Sequence, residues 1–296
     1  MKQQNPIKAL VIGATGRQGG AVARMLLERG HKVRAFTRRE ESADANDLMR
    51  LGAEVVHGDL KDRLSIERAA MGCDAIFAMC TPYEEGPAGE TQQGINCADA
   101  AKNVKCRHLV YSSVANADKQ TGIPFFDSKY RVEQYIRNVG VPYTIVAPAY
   151  FMENVLSPMA RPELEQGRLS LPLSGDRGLQ RVALRDLARF VALVMEERER
   201  FLGMRIDVAS QELTGFEEAR TLSRLSGRSI EYQRLPIEEL RKSHPDMAQM
   251  YEWFERVGYS VDIGRLHSEY PEVDWHTFER WASAQDWAFL KKRAVA

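Results

Sequence analysis

Residues 9–20 have the sequence ALVIGATGRQGG, in which a short apolar segment runs directly into a glycine-rich turn. The apolar part, residues 9–12, has the composition of a buried parallel strand. Beyond the turn, Val22 and Leu26 lie at helical spacing, and Gly30 stands where that helix should end. The stretch therefore predicts a strand, a tight turn and a helix, the unit that opens a nucleotide-binding α/β sheet.

The three glycines of the turn are spaced three residues apart, at Gly13, Gly16 and Gly19. In such a turn one glycine allows the tight bend, one lets the backbone approach a pyrophosphate, and one lets the helix pack closely against the strand. The start of the helix adds free N–H groups and the positive end of its dipole. The alternative is a tight turn that holds no ligand. The predicted cofactor contacts in this segment are Gly13, Thr15, Gly16, Arg17, Gln18 and Gly19.

Strand and helix patterns alternate as far as Pro148. The predicted strands are residues 9–12, 33–36, 53–59, 75–79, 108–113 and 143–147, and the clearest helices are residues 90–102 and 126–139. This alternation predicts the α/β class, with a Rossmann-type doubly wound parallel sheet and helices on both of its faces. Ligands of such sheets bind at the carboxyl edge of the strands.

Beyond Pro148 the pattern changes, because loops lengthen and strands become sparse. The predicted elements are strands at 181–184 and 205–208 and helices at 186–195, 216–225, 246–257 and 275–287. We predict a Rossmann domain of residues 1–156, with residues 182–211 added to it. Residues 157–181 and 212–296 are then expected to form a smaller, mostly helical C-terminal lobe that serves as a substrate or lid lobe.

The composition predicts a cytoplasmic protein that contacts neither a membrane nor nucleic acid directly. The 296 residues include 41 Lys+Arg and 41 Asp+Glu, so the formal net charge is zero and the basic excess of a nucleic-acid binder is missing. The N-terminus shows no signal-peptide pattern, and no apolar run approaches the ~18 residues of a membrane span.

The four cysteines indicate neither a metal site nor a disulfide framework. Cys73, Cys80, Cys97 and Cys106 form no C-x-x-C pair and have no histidine at metal-ligand spacing. We therefore expect reduced thiols in the core, as in an intracellular protein, and no metal site. A thiol-sensing role for Cys80, which follows a predicted strand, is the alternative.

The residues after the second predicted strand bear on the identity of the nucleotide. NAD-binding Rossmann units usually have an acidic residue there, which holds the ribose 2′-hydroxyl. This sequence instead has Thr37, Arg38 and Arg39, and the guanidinium of Arg38 suits a 2′-phosphate. Arg17 in the glycine-rich turn would add a second positive group. NADP(H) is therefore favoured over NAD(H), and solvated turn residues are the alternative for Arg38 and Arg39.

The spacing of the three glycines resembles that of the extended and atypical short-chain dehydrogenases/reductases. The chain resembles the NmrA-like branch over nearly its whole length, on the stretches 11–20, 33–38, 52–59, 126–129, 132–135, 139–144 and 150–154. The resemblance implies an NADP(H) site at the sheet edge, with a lobe from the C-terminal part over the nicotinamide. The family contains reductases of quinones, dyes and plant phenolics, and also nucleotide-binding proteins that turn nothing over and report redox state to a partner.

The same resemblance suggests further cofactor contacts. Asp59 and Leu60 resemble the pair that receives adenine, with a helix N-cap as the alternative role of Asp59. Thr81, after the fourth predicted strand, is expected beside the nicotinamide-side phosphate or ribose. Tyr150 and Asn154 follow the sixth predicted strand and resemble the family's nicotinamide-side contacts.

The catalytic pair of this superfamily, Tyr-x-x-x-Lys, is only half present. Lys129 is expected to hold the nicotinamide ribose, or else to be a surface lysine, but the residue four positions earlier is Phe125. A tyrosine there would share a helix face with the lysine and pass a proton to a carbonyl, which a phenylalanine cannot do. The predicted catalytic residues are Lys129 and Ser113. Ser113, or its neighbour Ser112, lies where the superfamily has a serine that polarises the substrate. The alternative is that this serine only ends the strand. Tyr150 is the best substitute phenol, with packing as its alternative.

Two functions from different classes are open at this point. The first is an NADPH-dependent reductase of a quinone, enone, imine or similar conjugated acceptor, because such acceptors stabilise their own negative charge or begin as cations. The second is a non-catalytic NADP(H) redox sensor that regulates a partner protein. The corresponding partners are a small-molecule acceptor or a regulated protein, and a homodimer is an open alternative. Met250, Tyr251, Trp253 and Phe254 would either roof a flat substrate or form plain core.

Overall fold

The protein, described by a computed structural model for residues 5–291, contains two compact units. The first unit comprises the chain up to Pro148 together with Leu187–Asp207. The second unit comprises Ala149–Asp186 and the residues from Val208 onward.

Within residues 5–291 the strands in chain order are β1 (Lys8–Ile12), β2 (Lys32–Thr37), β3 (Glu54–His57), β4 (Ala75–Ala78), β5 (His108–Ser112), β6 (Tyr143–Pro148), β7 (Tyr150–Phe151), β8 (Arg168–Leu171), β9 (Leu179–Val182), β10 (Arg205–Val208), β11 (Gln211–Leu213) and β12 (Glu231–Arg234). The α-helices are α1 (Arg17–Glu28), α2 (Ala43–Arg50), α3 (Arg63–Ala70), α4 (Gly86–Asn103), α5 (Pro124–Val139), α6 (Arg161–Glu165), α7 (Leu184–Glu196), α8 (Arg198–Phe201), α9 (Gly215–Ser226), α10 (Ile237–Ser243), α11 (Pro245–Arg256), α12 (Ile263–Glu269) and α13 (Phe278–Ser283). Short 3-10 helices are Ala117–Lys119, Met152–Leu156, Pro271–Val273 and Ala288–Lys291. Among these described helices, none is long and apolar enough to cross a membrane.

The first unit is built on a seven-stranded sheet with the order β10-β6-β5-β4-β1-β2-β3. Strand β1 pairs in parallel with β2 on one side and with β4 on the other, and the pairs β2–β3, β4–β5 and β5–β6 are also parallel. The direction of winding reverses beside β1, and sheets of this kind bind ligands at that point, beyond the carboxyl ends of the strands. The predicted Rossmann-type doubly wound sheet is thus confirmed, and β10 extends it beside β6.

The core of this sheet consists of apolar side chains from neighbouring strands. Leu10, Ile76 and Leu109 are fully buried on β1, β4 and β5, as expected of parallel strands that are covered on both faces. Helices α4 and α5 pack tightly, because a Cβ on Gly94 would lie only 2.5 Å from a methyl carbon of Val132. The core therefore fixes the carboxyl ends of the strands, where ligands of such sheets bind.

A buried histidine links three segments of the first unit. The hydroxyl of Thr144 on β6 donates to the carbonyl of Phe201 at 2.8 Å, so its oxygen accepts from Nε2 of His108 on β5, also at 2.8 Å. His108 therefore carries its proton on Nε2. Burial lowers the pKa of His108 to about 4, so the imidazole is neutral at pH 7.

The second unit contains two small sheets and several helices. Strand β9 pairs antiparallel with β11 and parallel with β7, and β8 pairs in parallel with β12. The core includes Leu169, Leu222 and Trp281, which are all buried. The predicted helical C-terminal part is present, with the short strands β8 and β12 added to it, which the sequence pattern does not predict.

The edges of the two units differ from the predicted domain bounds of 156, 182 and 211. Residues 149–156, 182–186 and 208–211 are predicted within the Rossmann domain but belong to the second unit. The sheet of β11, β9 and β7 explains this difference. Each of the three segments contains or adjoins one of these strands, so the pairing of the strands keeps the segments in the second unit. The role of the second unit as a substrate or lid lobe stays a prediction.

Two elements predicted from the sequence are wrong in their extent. The strand predicted at 181–184 is β9, which ends at Val182, because Leu184 already begins α7 and its N–H donates to the carboxylate of Glu153 at 3.0 Å. The helix predicted at 275–287 is limited to α13. Thr277 caps this helix, since its hydroxyl accepts from a backbone N–H in the first turn, and the chain reverses before it at a left-handed Asp274 with φ of 56°.

Candidate functional site

The glycine-rich turn between β1 and α1 is a tight bend. Gly13 has a φ of +71°, which favours glycine, and a Cβ there would lie 2.6 Å from Sδ of Met79. The N–H of Gly16 donates to the carbonyl of Gly13 at 2.9 Å and closes the bend. Within it, Thr15 approaches Thr37 at the end of β2, with 3.3 Å between the hydroxyl oxygens. The turn is thus anchored to the neighbouring strand.

The other two glycines of the turn differ in what surrounds them. A Cβ on Gly19 would lie 2.3 Å from the carbonyl oxygen of Gly13 and 2.7 Å from that of Ile12, so α1 packs against β1 only with glycine here. A Cβ on Gly16 would have the Gly13 oxygen as its nearest contact, at 3.3 Å, and Gly16 has an extended backbone with φ of −97°. The folded chain itself therefore excludes a side chain far more strongly at Gly19 than at Gly16.

The N-terminus of α1 has two features that suit an anion. Gly16 provides no side-chain cap, and the first turn of α1 contains no acidic residue. The first N–H groups of a helix have no acceptor within the helix, and its dipole favours negative charge at this end. Arg17 is exposed in this turn, whereas Gln18 is buried and donates its side-chain amide to the hydroxyl of Ser112. The predicted cofactor contacts of Arg17 and Gln18 stay predictions.

Arg38 follows β2 and is engaged in a bidentate ion pair. Its Nη1 and Nη2 donate to the two carboxylate oxygens of Glu84 at 2.7 and 2.6 Å. Both side chains are more than half exposed. The hydrogen bond with Glu84 raises the pKa of Arg38, so the guanidinium stays charged at every working pH. The structure thus presents a fixed positive group after the second strand, with a carboxylate already bound to it.

The residues expected near adenine and the ribose lie after β3 and β4. The carboxylate of Asp59 accepts from the N–H of Lys61 at 2.9 Å, and half-buried Leu60 packs against the core. The N-cap alternative for Asp59 is wrong, because Asp62 caps α3 by accepting from the N–H of Leu64 at 3.0 Å. Thr81, predicted near the nicotinamide-side phosphate or ribose, is half-buried after β4. The ligand contacts of Asp59, Leu60 and Thr81 stay predictions.

Lys129 on α5 is tied to a fully buried carboxylate. Its ammonium donates to Glu90 on α4 at 2.8 Å and to the carbonyl of Cys80 at 3.0 Å. Glu90 also accepts from the hydroxyl of Ser128. Glu90 is 0% exposed and the Lys129 side chain is 16% exposed, so the alternative of a surface lysine is not favoured. An ammonium has three donors, and the two described bonds use two of them. The predicted ribose contact and catalytic role of Lys129 stay predictions.

Phe125 lies one helical turn before Lys129, on the same face of α5. Its ring is half-buried and has no proton to give, so the place of the superfamily's tyrosine provides no acid.

The two serines at the end of β5 are both buried and both hydrogen-bonded to side chains. Ser112 accepts from Gln18, and Ser113 donates to Glu133 at 2.5 Å. Glu133 also accepts from Nε of Arg205 at 2.8 Å, but burial outweighs the arginine and raises the pKa of the Glu133 carboxyl. These contacts tie Ser113 to a structural network, and its predicted catalytic role stays a prediction.

Tyr150 and Asn154 lie in the second unit, where Tyr150 is packed and hydrogen-bonded. The phenol oxygens of Tyr150 and Tyr251 are 3.2 Å apart, and the guanidinium of Arg181 stands 5.1 Å from the ring centre of Tyr150. Arg181 is itself buried in an ion pair with Glu218. Burial raises the pKa of Tyr150, so the phenol is neutral at pH 7. The cofactor contacts of Tyr150 and Asn154 stay predictions.

The aromatic residues of α11 form part of the core of the second unit. Tyr251, Trp253 and Phe254 are buried, and Met250 is half-buried. The rings of Tyr251 and Phe254 meet edge to face with 5.7 Å between their centres. These contacts favour the core alternative over a roof for a flat substrate.

The cysteines are free thiols, and within residues 5–291 no group of three or more His, Cys, Asp or Glu residues could hold a metal ion. Cys80 and Cys97 are both buried, and a hydrogen bond with Cys80 together with burial raises the pKa of the Cys97 thiol. A thiol with a raised pKa reacts slowly with oxidants, because the thiolate is the nucleophile.

Sequence reasoning missed three carboxylates that organise these sites: Glu84, Glu90 and Glu153. Each is bound by a residue far along the chain, so no local pattern indicates its role. Glu153 accepts from the N–H of Leu184 at 3.0 Å and from Nε1 of Trp281 at 2.9 Å. Burial raises the pKa of Glu153 to about 7.

Glu153→Gln is expected to remove a pH dependence from the free energy of unfolding. Because the folded-state pKa of about 7 exceeds the ordinary value of 4.5, the protonated carboxyl stabilises the fold. This stability is fully present below pH 4.5 and is lost as the pH rises through 7, by roughly 3 kcal/mol for a shift of this size. The free energy of unfolding, measured with urea, should decline between pH 4.5 and pH 8 more steeply in the wild type than in the variant. The exposed Glu165→Gln serves as a control that keeps the wild-type slope; parallel curves for Glu153→Gln and the wild type would contradict the expectation.

Comparison with known proteins gives one family and several similar folds. The model of the NmrA-like family matches residues 7–282. A (4-alkanoyl-5-oxo-2,5-dihydrofuran-3-yl)methyl phosphate reductase from Streptomyces griseus is 33% identical over 234 residues, which is 78% of each protein. The crystal structure of a Citrobacter sp. triphenylmethane reductase complexed with NADP(H) is similar with a TM-score of 0.77 and 24% identity, over 94% of this chain and 100% of that one. NmrA, a negative transcriptional regulator in complex with NADP, is similar with a TM-score of 0.74 and 20% identity, over 96% of this chain and 100% of that one.

Proposed function

Because this chain belongs to the NmrA-like family, we propose that it binds NADP(H) and reduces a quinone, an enone, an imine or a similar conjugated acceptor. The glycine-rich turn carries this proposal. A bend at Gly13, a close packing at Gly19 and an uncapped helix N-terminus at Gly16 are what a pyrophosphate requires.

The residues of the first unit fit a dinucleotide in kind and in charge. The N–H groups at the start of α1 would hold the pyrophosphate, and Arg38 would bind the 2′-phosphate. Lys129 would donate its remaining N–H to the nicotinamide ribose, with Glu90 fixing the position of the ammonium at 2.8 Å. When bound, NADPH supplies a hydride from its nicotinamide ring.

The absence of an acid at Phe125 narrows the class of acceptor. Reduction of a ketone to an alcohol needs a proton donor of matched pKa. The face of α5 that carries Lys129 provides none at position 125. Acceptors that delocalise the incoming charge can be protonated by water after the hydride arrives, and cationic acceptors become neutral when they receive the hydride and need no proton. Two similar proteins support this class: a reductase of a 5-oxo-2,5-dihydrofuran compound and a triphenylmethane reductase.

The second candidate function is a non-catalytic NADP(H) sensor that regulates a partner protein, and Phe125 favours it. A protein without the tyrosine could bind nucleotide and turn nothing over. Such a sensor works only if the oxidised and reduced nucleotides bind two conformations with different free energies. The similarity to NmrA, a negative transcriptional regulator solved in complex with NADP, supports this alternative.

NADPH oxidation against a panel of quinones, enones, imines and cationic dyes separates the two functions. The nicotinamide absorbance reports turnover, and a binding titration is run on the same preparation. The reductase is supported if turnover with some acceptor depends on the protein and if Gly16→Ala, which should hold the pyrophosphate weakly, lowers turnover at NADPH concentrations near the wild-type dissociation constant. Tight NADPH binding with no turnover across the panel would favour the sensor.

Arg38→Ala is expected to weaken NADPH binding by about 10- to 100-fold and to leave NADH binding within about twofold, because charge-assisted bonds to a 2′-phosphate are lost. Fluorescence titration of both nucleotides measures the effect. Arg39→Ala, the exposed neighbour, is the matched control and should change neither affinity by more than about twofold. Equal losses for NADPH and NADH would show that Arg38 does not contact the 2′-phosphate.

A further inference from the structure

The turn between β4 and α4 carries two exposed carboxylates. Residues 82–86, the acidic turn, have the sequence Pro-Tyr-Glu-Glu-Gly. The N–H of Gly86 donates to the carbonyl of Pro82 at 2.8 Å and closes the turn. Glu84 and Glu85 are both exposed, as is the ring of Tyr83 between Pro82 and Glu84. The acidic turn follows a central strand and therefore leaves the sheet at its carboxyl edge.

Both carboxylates of the acidic turn are paired with cations that follow other strands. Glu84 binds Arg38, which follows β2, through two hydrogen bonds of 2.7 and 2.6 Å. Glu85 binds the ammonium of Lys61, which follows β3. The hydrogen bonds with Arg38 lower the pKa of Glu84, which therefore stays ionised at neutral pH.

The bidentate pair places Glu84 in competition with a phosphate. A guanidinium binds carboxylate and phosphate through the same pairs of N–H groups, and Glu84 occupies one N–H on each of Nη1 and Nη2. A 2′-phosphate that reaches Arg38 must displace the carboxylate or lie beside it as a like charge. The same carboxylate can accept a hydrogen bond from a ribose 2′-hydroxyl, the role that an acidic residue after the second strand has in NAD-binding units.

We propose that Glu84 sets the preference between NADP(H) and NAD(H), by competing with the 2′-phosphate for Arg38 and by accepting from the 2′-hydroxyl when no phosphate is present. The inference rests on the proposed nucleotide binding and adds its specificity-determining residue. The usual sequence criterion, an acidic residue at the end of β2, does not find Glu84, because this acidic side chain comes from the turn after β4. The wild type should consequently accept both nucleotides, with a preference for NADP(H) that Glu84 reduces.

Fluorescence titrations with NADPH and NADH test the proposal on the full chain. Glu84→Gln should tighten NADPH binding and weaken NADH binding by roughly two- to fivefold each, the range expected for an exposed ion pair. The ratio of the two dissociation constants should therefore change by roughly tenfold. Glu85→Gln removes the same charge from the same turn but leaves the Arg38–Glu84 pair in place, and its ratio should stay within about twofold of the wild type. Competition by 2′,5′-ADP and by 5′-AMP gives a second readout that does not depend on the nicotinamide.

The outcomes distinguish the inference from the proposed function. If Glu84→Gln shifts the ratio no more than Glu85→Gln does, while Arg38→Ala still weakens NADPH binding, the inference is overturned and nucleotide binding stands. If the wild type binds neither nucleotide, the proposed function fails and the inference fails with it. Circular dichroism and the thermal midpoint of each variant establish that these exposed substitutions leave the fold intact.

Discussion

Gly19→Ala is expected to lose both stability and nucleotide affinity, whereas Gly16→Ala is expected to lose mainly affinity. The added Cβ at Gly19 meets backbone oxygens at 2.3 and 2.7 Å, and backbone atoms cannot rotate away as a flexible side chain can. Overpacking destabilises by about 1–3 kcal/mol, and we expect the upper end of this range because the clash is with backbone atoms. At Gly16 the nearest atom to the Cβ, the carbonyl oxygen of Gly13, is 3.3 Å away and would have to move by only a few tenths of an ångström, and the backbone is extended, so we expect a much smaller loss of stability.

The loss of affinity in Gly16→Ala follows from where the pyrophosphate must approach. A methyl group at the N-cap of α1 keeps the phosphate from the first N–H groups of the helix, which we expect to weaken NADPH binding on the order of 100-fold. Urea unfolding measures the stability of each variant, and fluorescence titration measures binding. Each variant is the control for the other. Wild-type affinity in a folded Gly16→Ala protein would show that the turn does not contact the pyrophosphate.

Lys129→Met should destabilise the protein by about 3–5 kcal/mol, because it leaves a buried carboxylate without its cation. Glu90 is 0% exposed, and its described partners besides Lys129 are limited to the hydroxyl of Ser128. The double variant Glu90→Gln/Lys129→Met removes both charges together and should regain most of the lost free energy. Urea unfolding of the wild type, both single variants and the double variant gives the coupling energy directly.

The double variant also allows a clean test of Lys129 in turnover. A single Lys129 substitution would lose activity through lost stability as well as through a lost ribose contact. In the folded double variant we expect a raised KM for NADPH and a reduced kcat with the best acceptor of the panel. An unchanged KM and an unchanged kcat would exclude Lys129 from the cofactor site. In the urea experiment, a double variant as unstable as Lys129→Met would show that loss of the ion pair is not the cause of the instability.

Local sequence patterns predict the first unit well. The strands β1 to β6 and the glycine-rich turn are signalled by apolar runs and glycine spacing, and the family resemblance is confirmed by the match over residues 7–282. Prediction is less accurate beyond Pro148. The helix predicted at 275–287 shortens to α13, because hydrogen bonds at Thr277 and a left-handed Asp274 override the helical spacing of apolar residues.

The contacts of the candidate site could not be read from the same patterns. Lys129 and Glu90 are 39 positions apart, and Arg38 and Glu84 are 46 positions apart. Many acidic residues occur at comparable distances along the chain, and nothing in their local sequence distinguishes the one that the fold brings to the cation. The hydrogen bond from Ser113, the serine predicted to polarise a substrate, to Glu133 is likewise not indicated by any local pattern.

The sequence by itself determined the α/β class, the glycine-rich turn, the arginine after β2 and the absence of a proton donor at Phe125. These features depend on residue identity and on spacing within a few positions, both of which a single chain records. Only the tertiary structure decided which charges are paired, that Glu90 lies fully buried beneath Lys129, and that Glu153 and His108 have shifted pKa values. Desolvation and charge pairing depend on distances between residues far apart in the chain, and folding alone sets those distances.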